Sequence, residues 1–290
     1  MSGRRSGRMS EQSTPTPGGG SRAAPRESSP ATPGEASAVD RDASRLGRAR
    51  TAVAASTYSS KLGRPRVHLR CTASTNDFAR ELALAGAPAG SLVTASEQSA
   101  GRGRQGRRWT APAGCSLLMS LLLRSPPALL PLIAAVAVCD VAGEDALIKW
   151  PNDVVLPRDS RLLKLAGILA EGRPQEGWAV LGIGLNVSVE LAQLPAELQR
   201  SAASLERPRE ELEPMLARLL EALARRLCEP PQQLLEAWRA RDALAGRAVA
   251  WSGGRGVAEG IDGAGRLIVR RSDGGRSTLE AGEVHLETVA

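Results

Sequence analysis

The chain has 290 residues, 42 % of them hydrophobic, and a formal net charge of +7. This length has room for one sizeable core plus an accessory domain, and no uninterrupted apolar run reaches the roughly 18 residues that a membrane helix needs, which argues against a membrane span. Four dispersed cysteines without a C-x-x-C pair and only two histidines argue against a zinc ribbon, a disulfide framework or a histidine-based metal cluster, and they suit a reducing, cytoplasmic setting.

Residues 1–60 read as a disordered basic tail, rich in Ser, Pro, Gly and Thr; its first 50 residues hold nine arginines against five acids, which leaves the rest of the chain only mildly basic at +3. Such a segment cannot bury enough apolar surface to offset its ordering entropy. It has neither the apolar stretch of a secretory signal nor an amphipathic helix pair, so no specific DNA binding is expected. A strand is predicted over 67–71. Ser74, Thr75 and Asn76 then supply helix N-cap types ahead of a helix with Phe78, Leu82 and Leu84 on its apolar side. A second strand is expected over 91–95. A third, over 116–123, is nearly continuously apolar, as burial on both faces requires.

Between these two strands, in the loop Gln98–Trp109, glycines alternate with arginines. Gly101, Gly103 and Gly106 permit positive φ and close backbone approach, so successive N–H groups can form an anion nest. Arg102 and Arg104 add bidentate donors for carboxylate or phosphate. A helix over 128–142, a strand over 146–150, a Pro-Asn-Asp turn and strands over 153–156, 163–170 and 178–185 complete a mixed α/β unit. Cys71, Cys115, Cys139 and Cys228 all lie in apolar settings and are expected to be packing residues. Helices follow over 209–228 and 231–241. Short β-like runs over 248–251, 256–261, 267–270, 277–279 and 284–286, separated by glycines, predict a small β-barrel.

Of 38 basic residues only Lys61, Lys149 and Lys164 are lysine. A chain that otherwise uses arginine has kept lysine where a slim point charge is useful. Lys149-Trp150-Pro151-Asn152-Asp153 groups an ammonium, an amide and a carboxylate at one turn. Opposite the Gly/Arg loop, these can meet a nucleoside triphosphate and its Mg²⁺, with Asp153 as an oxygen ligand. An Arg/Lys pair aimed at an α-phosphate stabilises the charge that develops when a carboxylate attacks it, which is adenylyl transfer. Gly182 and Gly184, inside a strand, mark close approach by a ligand or another backbone. Each piece also has a plainer explanation: an RNA-binding or linker loop, surface lysines, a turn-forming aspartate, and core or rim positions for Trp109 and Trp150. It is their occurrence together, in this order, that favours a site. A nucleic-acid-binding protein is the alternative of another class, weakened by the low charge outside the tail and by the lack of aromatics among the arginines.

STN at 74–76, GRGRQGRRW at 101–109, KWPND at 149–153, KLAGILAE at 164–171 and GIGLNV at 182–187 together resemble the biotin protein ligases. The resemblance implies a class II synthetase-like α/β (α+β) fold, a mixed sheet with flanking helices, as a catalytic domain over 65–244, followed by an SH3-like β-barrel over 245–290. It implies an ATP-dependent, AMP-forming ligase. Biotin and ATP give biotinyl-5′-AMP, and the biotin then passes to a lysine of a biotin carboxyl carrier protein or carboxylase subunit, such as that of acetyl-CoA carboxylase. By position, Ser74, Thr75, Asn76, Gln98, Gly101, Arg102, Gly103, Arg104, Lys164 and Gly167 would bind biotin. Arg104, Trp109, Lys149, Asn152, Asp153, Lys164 and Asn186 would bind ATP, and Lys164, Arg104 and Asp153 would carry the chemistry, Asp153 holding Mg²⁺. The chain departs from some relatives in having no tryptophan over 189–205 to stack on adenine, so Leu191 or Leu194 is expected there. The resemblance leaves a homodimer open, and a lipoate or octanoate ligase or transferase of the same superfamily remains the nearest rival.

Overall fold

The computed structural model describes residues 62–280, 282 and 284–286. The expected disordered tail and Lys61 lie outside the described residues.

The apolar run Ser116–Arg124 forms β3, which is buried along its length except at Arg124, as its sequence requires. It lies within a seven-stranded sheet of order β1-β2-β3-β7-β6-β5-β4. The strands are β1 (Arg66–Thr72), β2 (Leu92–Gln98), β4 (Leu147–Lys149), β5 (Asp153–Arg158), β6 (Arg161–Arg173) and β7 (Trp178–Asn186). Strands β1 and β2 are parallel and are connected through helix α1 (Thr75–Leu84); the other neighbours run antiparallel. One face of the sheet presents Leu117, Met119 and Leu121 of β3 and Leu181, Ile183 and Leu185 of β7 to a single core shared with α2 (Leu130–Ala142), α4 (Leu212–Leu227) and α5 (Pro231–Arg239). Helix α2 is apolar nearly all round, as a helix packed on several sides must be. The opposite face is only partly covered: α1 sets Ala79 and Ala83 against Val93, Leu122, Trp178 and Val180.

Several expectations change here. Phe78 and Leu82 pack on the α1 face, but Leu84 is 58 % exposed; the buried stripe passes instead through Ala79 and Ala83, four residues apart on one helical face. Ser74 sits at the N-cap of α1 without a side-chain capping bond, and the N–H of Thr75, the first helical residue, donates to Gln98 Oε1 at 2.7 Å. Cys71, on the edge strand, is exposed; Cys115 and Cys139 are buried and Cys228 half-buried. Burial pushes the Cys139 thiol up to about 12. The helix expected over 209–228 opens with a 3₁₀ turn, Arg209–Glu211. The short helical segments Leu191–Gln193 and α3 (Ala196–Gln199) were not anticipated.

The C-terminal run forms a second, five-stranded antiparallel sheet of order β11-β10-β9-β8-β12, built from β8 (Ala248–Trp251), β9 (Gly254–Ile261), β10 (Leu267–Arg271), β11 (Arg276–Leu279) and β12 (His285–Leu286). The expected barrel takes this form, with β11 and β12 as its unpaired ends among the described residues. It is fastened to the large sheet at the Lys149–Asp153 turn, where the buried Trp150 donates its indole N–H to the Gly265 carbonyl at 3.0 Å. The outer edge of β4 is covered in turn by residues 241–243, through Ile148 N–H to the Arg241 carbonyl (2.7 Å) and Ala243 N–H to the Ile148 carbonyl (2.9 Å). Among the described residues no helix is long and apolar enough to cross a membrane.

Candidate active site

The uncovered part of the sheet has a floor without side chains. Strand pairing sets Gly167 of β6 directly opposite Gly184 of β7, and Leu169 opposite Gly182. The Trp109 ring occupies the space this leaves: a Cβ built on Gly184 would lie 2.5 Å from the ring, and one on Gly167 3.0 Å away. A Cβ on Gly182 would overlap the Asn76 amide. Glycine in mid-strand therefore marks close approach here, by an indole and an amide. The Lys164 ammonium stands 5.8 Å from the centre of the Trp109 ring, within cation–π range.

Residues 101–109 form a small hairpin. Arg102 pairs with Arg108, Trp109 N–H binds the Gly101 carbonyl (3.0 Å), and Gly103 N–H binds the Arg107 carbonyl (2.7 Å). The tip turns through Gln105 at φ 55° and Gly106 at φ 75°. The anion nest expected from this loop is thus not preformed. Only one of the three glycines has positive φ, and the Gly103, Arg107 and Trp109 amides are spent on the hairpin itself. The guanidinium groups remain as its anion-binding elements.

One end of the cavity beneath this hairpin is lined by hydroxyls and amides. Gln98 Oε1 accepts from both the Thr75 N–H (2.7 Å) and the Thr75 hydroxyl (3.0 Å). The Ser120 hydroxyl lies 2.8 Å from Thr75 Oγ1 and 2.5 Å from Asn76 Oδ1. The other end is charged. In the β4–β5 turn Lys149 lies opposite Asp153, and Asn152 is held by its Nδ2 on the Ile168 carbonyl (3.0 Å) while its Oδ1 accepts from Arg104 at 3.2 Å. Asp153 Oδ1 is buried without an aligned hydrogen bond, its partner being the Lys164 ammonium 2.8 Å away. Burial lowers the Lys149 ammonium from its ordinary value; Asp153 opposes this, and Lys164 and Arg107 add to it. Burial likewise lowers Arg104, against the pull of Asp153.

These groups surround one cavity of about 370 Å³, within the range of small-molecule sites. Its wall contains every residue that the resemblance assigned to biotin or ATP except Gly101. Gly101 lies behind the wall, where a Cβ would strike the Trp109 carbonyl and the Gln98 amide. Among the described residues Arg102, Arg104, Arg107, Arg108, Lys149 and Lys164 line the cavity with Asp153 as the one lining carboxylate, Arg102 being paired with Asp77 and Glu171 outside it, so its charge suits a polyanion. Leu194, Leu198 and Ala202 form an aliphatic wall beside Lys164; Leu191 packs in the same cluster without reaching the cavity. Asn186 accepts from Ser116 (3.0 Å) and donates to the Ala203 carbonyl (2.9 Å), which ties that wall to β7. The Lys164 backbone pairs with the same segment, through its N–H to the Ser201 carbonyl at 2.7 Å. Among the described residues no three His, Cys, Asp or Glu side chains cluster as a metal site. The sequence reading missed Ser120, Leu198 and Ala202, as well as Asp77 and Glu171, which bind Arg102 at 2.6 and 2.9 Å. Ser120, Asp77, Leu198 and Ala202 belong to no motif, and Glu171 only closes the run KLAGILAE.

Residues 68–188 match a family profile described as the biotin/lipoate A/B protein ligase family. The bifunctional ligase/repressor BirA of Bacillus subtilis is 41 % identical over 144 residues, which is 46 % of this chain and 43 % of that protein, so the chain spans less than half of that relative's length. The likeness of fold reaches further: a biotin protein ligase from Aquifex aeolicus, solved in complex with biotin and ATP, superposes with a TM-score of 0.64 at 23 % identity, covering 78 % of this chain and 100 % of that one. The biotin--[acetyl-CoA-carboxylase] ligase of Mycobacterium tuberculosis is 36 % identical over 239 residues, covering 73 % of this chain and 85 % of its own, and with that match the chain belongs to the biotin protein ligase family.

Proposed function

We propose that the protein activates biotin with ATP to biotinyl-5′-AMP and then transfers the biotin to a lysine of a biotin carboxyl carrier protein or carboxylase subunit. One observation carries this reading: among the described residues a cluster of cations that includes Arg104, Lys149 and Lys164, with Asp153 as its lining carboxylate, surrounds a glycine floor that continues into a pocket of neutral donors and acceptors. A neutral ureido ring suits the Ser74–Thr75–Gln98 end, and phosphates suit the Arg104–Lys164 end. The names of the relatives and the order of the motifs point the same way.

In the first step a biotin carboxylate oxygen attacks the α-phosphorus of ATP and pyrophosphate leaves. Lys164, on β6, reaches the junction of carboxylate and α-phosphate and neutralises the charge that grows there. Arg104, oriented by Asn152, supplies a planar donor pair to the phosphate oxygens. Lys149 and Arg107 take the leaving-group side. Asp153 fits a Mg²⁺ carried in by ATP, because this ion binds through one or two carboxylates plus substrate phosphates and Asp153 is the carboxylate on the cavity wall among the described residues. When bound, the ion offsets the charge on the departing pyrophosphate. Leu194, Leu198 and Ala202 provide the adenine wall in place of an aromatic. The hairpin lies over the adenylate and excludes water until the carrier amine attacks the mixed anhydride and AMP leaves.

Pyrophosphate exchange into ATP, measured with biotin, with lipoate, with octanoate and with no acid, tests the reading. Exchange that depends on biotin is expected. Exchange dependent on lipoate or octanoate alone would assign the other branch of the superfamily, and none with any acid would favour a binding protein. The second step predicts a mass increase on one lysine of an added carrier domain.

A further inference from the structure

Arg102, at the base of the hairpin, is bridged by two carboxylates. One of its nitrogens binds Asp77 Oδ1 at 2.6 Å and another Glu171 Oε1 at 2.9 Å. Asp77 lies in the first turn of α1, where a carboxylate suits the helix dipole, and it also accepts from Arg80 at 3.1 Å. Glu171 lies on β6, and its second oxygen accepts from Asn76 Nδ2 at 2.8 Å. Asn76 is buried, bonded to Ser120 and wedged against Gly182. A continuous polar chain therefore runs from the hairpin through Glu171 into the buried floor of the pocket. Two cations, Arg102 and Arg80, meet two anions, so the positive charge of Arg102 is already matched. An arginine neutralised in this way has little left for a ligand anion; what it can do is fix the backbone it belongs to.

We infer that Asp77 and Glu171 are positioning residues, whose carboxylates grip Arg102 from two separate elements and thereby set the closed position of the 101–109 hairpin over the cavity. Each ion pair alone is partly exposed and weak, but a shared guanidinium tied at both ends, with one end anchored on a buried amide, acts as a network. The clamp stands on these ion pairs alone; only its effect on biotin rests on the function proposed above. A glutamine at 171 keeps the shape but has a single acceptor oxygen for two donors, so one end of the chain must break.

The test uses the full chain with Glu171→Gln and Asp77→Asn, each alone and combined with Arg102→Ala. Each carboxylate variant is expected to raise the biotin KM in pyrophosphate exchange by about fivefold, with kcat changed by less than about twofold, and to speed amide hydrogen exchange across 101–109 in the ligand-free protein by about fivefold, the scale of one partly exposed ion pair. On the Arg102→Ala background neither carboxylate change should add anything. An undiminished effect on that background, a fall in kcat at constant KM, or unaltered hairpin exchange would overturn the clamp. If Glu171→Gln fails to fold, Asp77→Asn on the helix surface gives the same readouts. A wild-type chain with no biotin-dependent activity would sink the proposed function while amide exchange still decides the clamp.

Discussion

The two faces of β7 were built by opposite means. Leu181, Ile183 and Leu185 point into the core shared with α2 and α4, while the alternate residues Val180, Gly182, Gly184 and Asn186 begin under α1 and end in the cavity. One face is specified by volume, because close packing makes each methylene count. The other is specified by missing volume: two glycines hold the sheet open for an indole and an amide, and the charges needed for chemistry stand around the gap. Stability and function thus share a strand, and of its core residues Ile183 also borders the cavity.

Four substitutions can break or sharpen this contrast. Lys164→Ala on the cavity face should slow adenylate formation by roughly 10² to 10³, the scale of losing one transition-state charge contact; an unchanged single-turnover rate would remove Lys164 from the mechanism. Leu181→Ala on the core face should cost about 3 kcal/mol in urea unfolding and leave the biotin KM alone. Gly184→Val, which places methyls where Trp109 now lies, should lower kcat/KM by about 10², as misplacement of a positioned group does, and leave unfolding nearly intact. The smallest effect is in pH. Burial holds the Lys149 ammonium below its ordinary 10.5, so in the window between its lowered value and 10.5 the folded chain binds fewer protons than the unfolded one, and stability must rise with pH there. Lys149→Met should flatten that rise, seen as a smaller slope of melting temperature against alkaline pH, while weakening ATP binding.

Most of the sheet could be read from the sequence, because runs such as Ser116–Leu123 and Trp178–Leu185 leave few other ways to bury so much apolar surface. The helix faces were less legible. Leu84 looked like core and is exposed, since alanines at 79 and 83 carry too weak a periodic signal to compete with leucines in a pattern. Site membership was visible because arginine, glycine and lysine are so unevenly placed, and Gly184 announced that something comes close without saying what. The partners were not visible. Glu171 is 95 residues from Asn76 and reads as an ordinary polar strand residue until the fold closes. The supposed nest failed for a local reason: a Gly/Arg loop can satisfy its own amides by folding back as a hairpin.

The indole of Trp150, whose N–H reaches the carbonyl of Gly265, makes the small sheet a buttress for the nucleotide end of the cavity. Asn152 and Asp153 follow that indole after Pro151 alone, so a chain cut after residue 245 would keep every residue of the pocket wall between 74 and 202 yet lose the prop that aims two of them. Such a truncated enzyme should bind biotin at its hydroxyl-lined end and fail with ATP.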